Sequence, residues 1–101
     1  MSNISKIAKG FSAIGSEQRL LVYMTLVQNA PRGLSIKEVQ EILDMKPSTL
    51  AHHIKFLVDA NLIKQERKGK EVLNYANIEE LKCLCGSIID QCCMCNDNTK
   101  E

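Results

Sequence analysis

The segment of residues 46–70, KPSTLAHHIKFLVDANLIKQERKGK, restricts the possible folds more than any other part of the sequence. Pro47 suits the first turn of a helix, where its missing N–H has no intrahelical partner to lose. Apolar residues then recur at helical spacing and predict one buried side: Leu50, Ile54, Leu57 and Val58. The other side is polar and rich in hydrogen-bond donors: Ser48, Thr49, His52, Lys55 and Asp59. Such a face suits a recognition helix in a DNA major groove, where base edges offer acceptors.

A basic hairpin is predicted directly after this recognition helix. Asn61 is expected to end the helix, and strand-like runs follow at residues 62–67 and 71–76, separated by a turn around Gly69. A helix, a tight turn, a recognition helix and a hairpin together predict a winged helix-turn-helix. The basic residues of the predicted wing are Arg67, Lys68 and Lys70.

Three helices are predicted upstream of the recognition helix. The first is amphipathic, and its apolar residues are Ile4, Ile7, Phe11 and Ile14. The second spans residues 17–29 behind Ser16 as N-cap, with a core face expected from Leu20, Leu21, Met24 and Val27, joined by Tyr23. The third begins with a capping box made by Ser35 and Glu38. Its buried face is expected from Ile36, Val39, Ile42 and Leu43.

A last helix is predicted from about residue 78 towards Cys92, with Asn77 and Glu80 as a second capping box. Its stripe has the alternating spacing of three and four that is typical of paired helices: Ile78, Leu81, Cys85, Ile88 and Cys92. We therefore expect a homodimer formed through the first and last helices. The predicted fold is mainly α (α+β), a single domain at residues 1–95 with about five helices and a two-stranded wing, followed by a flexible tail at 96–101.

The distribution of charge favours a nucleic-acid partner. Residues 1–76 carry eleven Lys and Arg against seven Asp and Glu, a net of +4, whereas residues 77–101 carry two against five, a net of −3. The positive part contains the recognition helix and the wing, as a DNA reader requires. No signal peptide or apolar run long enough to span a bilayer is apparent. We therefore expect a cytoplasmic protein with reduced thiols and no membrane partner.

The candidate contacts to double-stranded DNA all lie in this basic part: Lys46, Ser48, Thr49, His52, His53, Lys55, Arg67, Lys68 and Lys70. His52 shares the outward face with Ser48 and Thr49, so we expect it to reach a base. His53 lies at the edge of the buried stripe, where a structural role is favoured over a DNA contact. The basic residues are candidates for phosphate or minor-groove contacts, although a single lysine is more often only a solvated charge.

All five cysteines lie within thirteen residues near the end of the chain, and an odd, clustered count is a poor disulfide framework. Cys92, Cys93 and Cys95 are the preferred metal ligands, because an adjacent surface pair is hard to explain by packing. Cys85 lies on the apolar stripe and suits a small hydrophobic residue, so it is a weaker candidate ligand. Cys83 lies off the stripe, and both readings remain open for it.

Trivalent arsenic or antimony, As(III) or Sb(III), fits three neighbouring thiols. Three thiols displace three hydroxides and release water, so no thiolate has to exist beforehand. Zinc, cadmium or lead would need thiolates, which the negative end of a helix dipole disfavours. On a regular helix Cys92, Cys93 and Cys95 would point about 0°, 100° and 300° around the axis. Binding one atom would therefore require the last turn to unwind.

Residues 16–76 resemble the ArsR/SmtB family of small dimeric bacterial metalloregulators. The resemblance rests on PSTLAHHIKFL at 47–57, DANLI at 59–63, and a wing with KGK at 68–70 followed by Tyr75. It implies a repressor that leaves its operator when an inducer binds. Two sensing sites of the family have no counterpart, because residues 39–44 contain no Cys and residues 77–101 contain no His. The terminal cysteines resemble those of arsenite-responsive members, whose third cysteine lies further along the tail than Cys95.

Three classes of function follow from these observations. The first is a DNA-binding repressor induced by As(III) or Sb(III). The second is the same fold sensing persulfide, oxidants or another thiophilic metal (cadmium, lead or zinc), although a persulfide sensor should need cysteines on separate helices. The third, a thiol-dependent enzyme, is disfavoured because the sequence has no Gly-rich phosphate loop and no His outside the recognition helix. We therefore expect neither enzymatic activity nor an organic cofactor.

Overall fold

The computed structural model describes residues 2–91, which form five helices and one two-stranded antiparallel sheet. The elements are, in order, α1 Ser2–Ile14, α2 Glu17–Asn29, α3 Ile36–Leu43, α4 Pro47–Asp59, β1 Ile63–Lys68, β2 Glu71–Ala76 and α5 Ile78–Ile89. The predicted mainly α, winged helix-turn-helix fold is confirmed, with α4 as the recognition helix and β1–β2 as the wing. In this part of the chain no helix has the length and apolarity needed to cross a bilayer. The predicted domain boundary at residue 95 and the tail at 96–101 lie outside the described residues.

Local signals fix the two helices of the helix-turn-helix unit. The Ser35 hydroxyl accepts a hydrogen bond from the Glu38 N–H at 3.1 Å, and the Glu38 carboxylate accepts one from the Ser35 N–H at 2.9 Å. The predicted capping box is therefore confirmed. Asp44 adopts a left-handed conformation at φ 55° and ends α3. Pro47 then occupies the first turn of α4, as predicted.

One apolar core connects the helices and the base of the wing. Its members are Ala13, Val22, Tyr23, Leu26, Leu34, Val39, Leu50, Ile54, Leu57, Ala60, Leu62, Ile63 and Leu84. The predicted buried side of α4 is confirmed for Leu50, Ile54 and Leu57, while Val58 packs at its edge. From α1, Ile7, Phe11 and Ile14 also pack against this core, whereas Ile4 stays exposed.

The predicted buried face of α2 is wrong. Leu20, Leu21 and Met24 are exposed by 41%, 49% and 43% of their surface, and Val27 is only partly buried. The core instead receives the other side of the helix: Val22, Tyr23, Thr25 and Leu26. Because α2 carries apolar residues on two sides, its periodicity does not identify the side that meets α4. Of the predicted residues, Tyr23 is in the core and Val27 packs at its edge.

Two further predictions fail because tertiary contacts differ from local signals. Ile42, expected in the core, is 55% exposed near the end of the short helix α3. Asn77 makes no side-chain cap for α5. Its amide instead donates to the Asn61 carbonyl at 2.9 Å, and the Glu80 carboxylate accepts from the Asn61 amide at 3.2 Å. Asn77 and Glu80 therefore join α5 to the end of α4 rather than forming a capping box.

The wing is attached to the rest of the domain at Asn74, which is fully buried in β2. A bridge outside the hairpin pairs Asn74 with Leu34, and the Asn74 side-chain amide donates to the Leu34 carbonyl at 3.0 Å. Gly33 allows the close approach, because a Cβ at this position would lie 2.5 Å from the Tyr75 ring. The wing is therefore held against the loop between α2 and α3.

The first and last helices pack against each other at Gly10 and Leu84. A Cβ on Gly10 would lie 2.3 Å from a Leu84 methyl, so a larger residue at this position would require Leu84 or one of the two helices to shift. Helix α5 ends at Ile89, three residues before the expected end at Cys92. On its predicted stripe, Cys85 and Ile88 are exposed in the single chain.

Candidate DNA-binding surface and cysteine cluster

The polar face of α4 is open to solvent. Ser48, His52 and Lys55 are exposed, as is Lys46 at the N-cap, while Thr49 is half-buried. Lys55 lies 3.7 Å from Asp59 one turn later, but both side chains are exposed, so this pair contributes little. Lys55 therefore remains available to a phosphate. No acidic residue lies in the first turn of α4, so no carboxylate there offsets the positive end of the helix dipole.

His53 lies in the interior, unlike the other candidates on α4. It is only 9% exposed, and its Nε2 lies 3.2 Å from the side-chain oxygen of Gln18 on α2. Burial, and then the positive charges of Arg19 and His52, hold the pKa of His53 below its ordinary value. A neutral, hydrogen-bonded imidazole supports the structural reading of His53 rather than a DNA contact.

His52 contacts an aromatic ring, which in turn contacts a cationic side chain. Phe56, one turn further along α4, meets the His52 ring edge-on at 5.9 Å between ring centroids. The Arg19 guanidinium lies 4.2 Å from the centre of the Phe56 ring, and its Nε donates to the Ala13 carbonyl at 2.6 Å. The sequence interpretation missed Arg19 and Phe56. The only available signal was a large aromatic residue off the apolar stripe of α4.

The basic residues of the wing surround its turn. Arg67 and Lys68 end β1, Gly69 adopts φ 63°, and Lys70 precedes β2. All three basic side chains are exposed, and within residues 2–91 none of them forms a salt bridge. They are therefore free to neutralise phosphates.

Asn74, which anchors the wing, is a third residue that the sequence interpretation missed. Its side-chain oxygen accepts from the Gln65 amide on β1 at 2.8 Å, while its amide holds Leu34. A buried amide that is bonded through both its oxygen and its nitrogen fixes the position of the hairpin relative to the loop that precedes α3. An Asn inside the otherwise apolar run VLNYA was the available signal.

Of the cysteines, only Cys83 and Cys85 fall within the described residues. Both are exposed on α5 and unpaired. Burial, together with nearby Cys85 and Glu80, raises the pKa of Tyr23 to about 12, so Cys85 lies beside a neutral phenol. Within residues 2–91 no group of three His, Cys, Asp or Glu side chains is placed to hold a metal ion. The preferred ligands Cys92, Cys93 and Cys95 lie outside the described residues and remain predictions.

The surface made by the start of α1 and the end of α5 is apolar. Ile4, Ile88 and Ile89 are exposed by 62%, 51% and 47% of their surface. They lie close to the point where the chain continues towards Cys92. The single chain thus leaves uncovered the two helices that the sequence assigned to a dimer.

Sequence comparison places these features in a known group. Residues 15–66, from just before α2 into β1, match the helix-turn-helix domain family. The chain is 33% identical over 92 residues to the arsenical resistance operon repressor of Bacillus subtilis (strain 168), covering 90% of this chain and 83% of the relative.

Solved structures agree on the fold. An ArsR-like transcriptional regulator from Rhodococcus sp. RHA1 superimposes with a TM-score of 0.79 at 19% identity, covering 87% of this chain and 80% of that one. The homodimeric winged helix-turn-helix DNA-binding domain Mb0332 from Mycobacterium bovis gives 0.70 at 16%, covering 89% and 83%. Together with the sequence match, the recognition helix and the wing, these similarities show that the chain belongs to the ArsR family of winged helix-turn-helix transcriptional regulators, which bind DNA and are not enzymes.

Proposed function

We propose that this regulator is a dimeric repressor that leaves its operator when As(III) or Sb(III) binds the thiols of Cys92, Cys93 and Cys95. The observation that carries the proposal is the similarity to an arsenical resistance operon repressor over 90% of the chain, in a sequence with three thiols just beyond α5. Because the protein would act on operator DNA, we place it in the cytoplasm.

The chemistry of the thiols supports a trivalent metalloid. Arsenous acid brings three hydroxides, each thiol supplies one proton, and three waters leave as three As–S bonds form. The product is neutral, so binding does not place a negative charge at the end of α5, where the helix dipole opposes one. A divalent zinc, cadmium or lead site would require thiolates at the same place.

For operator binding we propose a division of labour between α4 and the wing. Ser48, Thr49 and His52 would read base edges from the N-terminal half of the recognition helix, because these residues share its outward face. The exposed basic residues would neutralise phosphates or enter the minor groove: Lys46, Lys55, Arg67, Lys68 and Lys70.

A second copy of the chain would cover the apolar ends of α1 and α5. In a homodimer the two recognition helices would reach half-sites about 34 Å apart. The terminal thiols follow α5 by a few residues, so gathering them around one atom would disturb the same helix that joins the two copies. A change of that helix would alter the spacing of the recognition helices and weaken operator binding.

The test is operator binding by fluorescence anisotropy, with and without arsenite, on the full chain. We expect arsenite to release the wild-type protein and the C83S/C85S variant, but not C92S, C93S or C95S. The double variant is the matched control, because it removes two exposed thiols of the same segment. Unchanged arsenite affinity of C95S would refute the three-thiol site.

Further additions distinguish the alternative inducers. Release by persulfide or peroxide, or by cadmium, lead or zinc, in the absence of any arsenite response would favour the second class of sensor. X-ray absorption of the arsenite-loaded protein should count three sulfur neighbours per arsenic. A count of two, or of two sulfurs with oxygen, would contradict the proposed ligand set.

A further inference from the structure

The end of the recognition helix is built around Asn61, which adopts a left-handed conformation at φ 65°. The Asn61 N–H donates to the Val58 carbonyl at 2.9 Å, and the Leu62 N–H donates to the Leu57 carbonyl at 2.9 Å. These two bonds form a Schellman motif, and Leu62 and Leu57 are both buried in the core. Glycine is the usual residue at this position because it has no Cβ. Here the position is occupied by an asparagine.

The side chain of Asn61 links this turn to α5. Its amide donates to Glu80 Oε1 at 3.2 Å, while the backbone carbonyl of Asn61 accepts from the side-chain amide of Asn77 at 2.9 Å. The Asn77 N–H also donates to the Leu62 carbonyl at 2.7 Å. The start of α5 is thus hydrogen-bonded to the end of the recognition helix by side chains as well as by the backbone.

Glu80 also connects this junction to α1. It is only 6% exposed, and its second oxygen lies 3.7 Å from the ammonium group of Lys6. That oxygen is buried and accepts no hydrogen bond within the described residues. A buried carboxylate is costly unless it keeps its partners. A displacement of α5 relative to α4 would therefore separate Glu80 from Asn61 at a real energetic cost, which makes the junction stiff.

We propose that Asn61 and Glu80 are positioning residues that transmit a movement of α5 to the recognition helix. This inference rests on the proposed function, in which the inducer binds just beyond α5. Glycine would suffice for the left-handed turn by itself. The side-chain amide of Asn61 adds a hydrogen bond to Glu80, which is the only side-chain hydrogen bond between this turn and Glu80 among the described residues. The inducer acts on one end of α5, and this junction carries the movement at the other end.

The variant that separates coupling from folding is N61G. Glycine keeps the left-handed turn and its two backbone bonds, so the fold and the operator affinity without inducer should be preserved. The ratio of operator Kd with and without arsenite should fall by about twofold to thirtyfold, the range for substitutions along a coupling network. E80Q, which keeps an acceptor for Asn61 but removes the charge facing Lys6, should show a smaller loss. N29A is the matched control, because the Asn29 amide donates to Thr25 within α2 alone, at 2.8 Å.

A second measurement tests the link without any inducer. Coupling is reciprocal, so operator binding should change α5 if α5 controls operator binding. Hydrogen exchange of the amides of α5 should slow on addition of operator DNA in the wild type and in N29A. In N61G this protection should be lost while protection of α4 is retained.

Each outcome bears on the proposal separately from the proposed function. If arsenite releases the wild type and N61G equally, the positioning role is wrong and the proposed function stands. If arsenite fails to release the wild type, the proposed function is wrong, and hydrogen exchange decides the positioning role. The positioning role would then be wrong if operator DNA protected the α5 amides from exchange equally in N61G and the wild type. It would also be wrong if operator DNA gave no protection of α5 in the wild type.

Discussion

The contact between Gly10 and Leu84 makes a quantitative prediction about the packing of α1 on α5. A Cβ on Gly10 would lie 2.3 and 2.9 Å from the two Leu84 methyl carbons. Ordinary carbon contacts lie at about 3.5–4.0 Å, so one helix or the leucine would have to move by more than an ångström. Leu84 is 2% exposed and has little space to do so. G10A should therefore strain the helix pair that carries the proposed dimer surface.

The size of the effect follows from two opposing contributions. Replacing a mid-helix glycine by alanine gains about 1 kcal/mol of helix propensity, whereas overpacking a core costs about 1–3 kcal/mol. We expect a net loss of about 1 kcal/mol in the free energy of unfolding. G86A is the matched control on α5, because a Cβ there meets no atom within 4 Å. It should gain about 0.5–1 kcal/mol.

The assay is thermal and urea unfolding followed by circular dichroism at one fixed protein concentration, since association shifts apparent stability. For a domain of this size the two variants should differ in Tm by about 4–8 °C for each kcal/mol between them. Combining G10A with L84A should relieve the clash, so the two losses should not add. A G10A protein as stable as wild type, or additive losses with L84A, would refute the packing argument.

Two further predictions concern the DNA surface and its support. R67Q and K70Q should each weaken DNA binding equally on all sequences and reduce the magnitude of the slope of log Kobs against log salt by about 0.9. Fluorescence anisotropy at several salt concentrations measures both effects. A change in sequence preference instead would mean that the wing reads bases. His53 has a pKa below its ordinary value in the folded chain, so the unfolded chain binds more protons and stability should fall as the pH drops from about 6.5 through the folded pKa. Urea unfolding between about pH 7.5 and about pH 5.5 should show this loss in the wild type and a weaker one in H53Q; equal pH dependence in both would assign the effect to other groups.

Features that depend on neighbours in the chain were predictable from the sequence. The spacing of Leu50, Ile54 and Leu57 placed the buried side of the recognition helix correctly. The Ser35 capping box was also placed correctly, because its partners lie three residues apart. The wing was predicted to within one residue, since a glycine turn between two strand-like runs determines its own register.

What the sequence alone determined was therefore the set of elements, the outward face of α4 and the basic tip of the wing, because each of these is fixed by local spacing. Only the tertiary structure decided which side of α2 is buried, since Leu20 and Leu21 offered the core as much apolar surface as Val22 and Leu26 did. It also decided that Asn77 and Glu80 bond to Asn61 rather than cap α5, and that Gly10 faces Leu84. The physical reason is the same in each case: a helix presents several faces and a polar side chain several partners, and the choice depends on residues that are distant in the sequence.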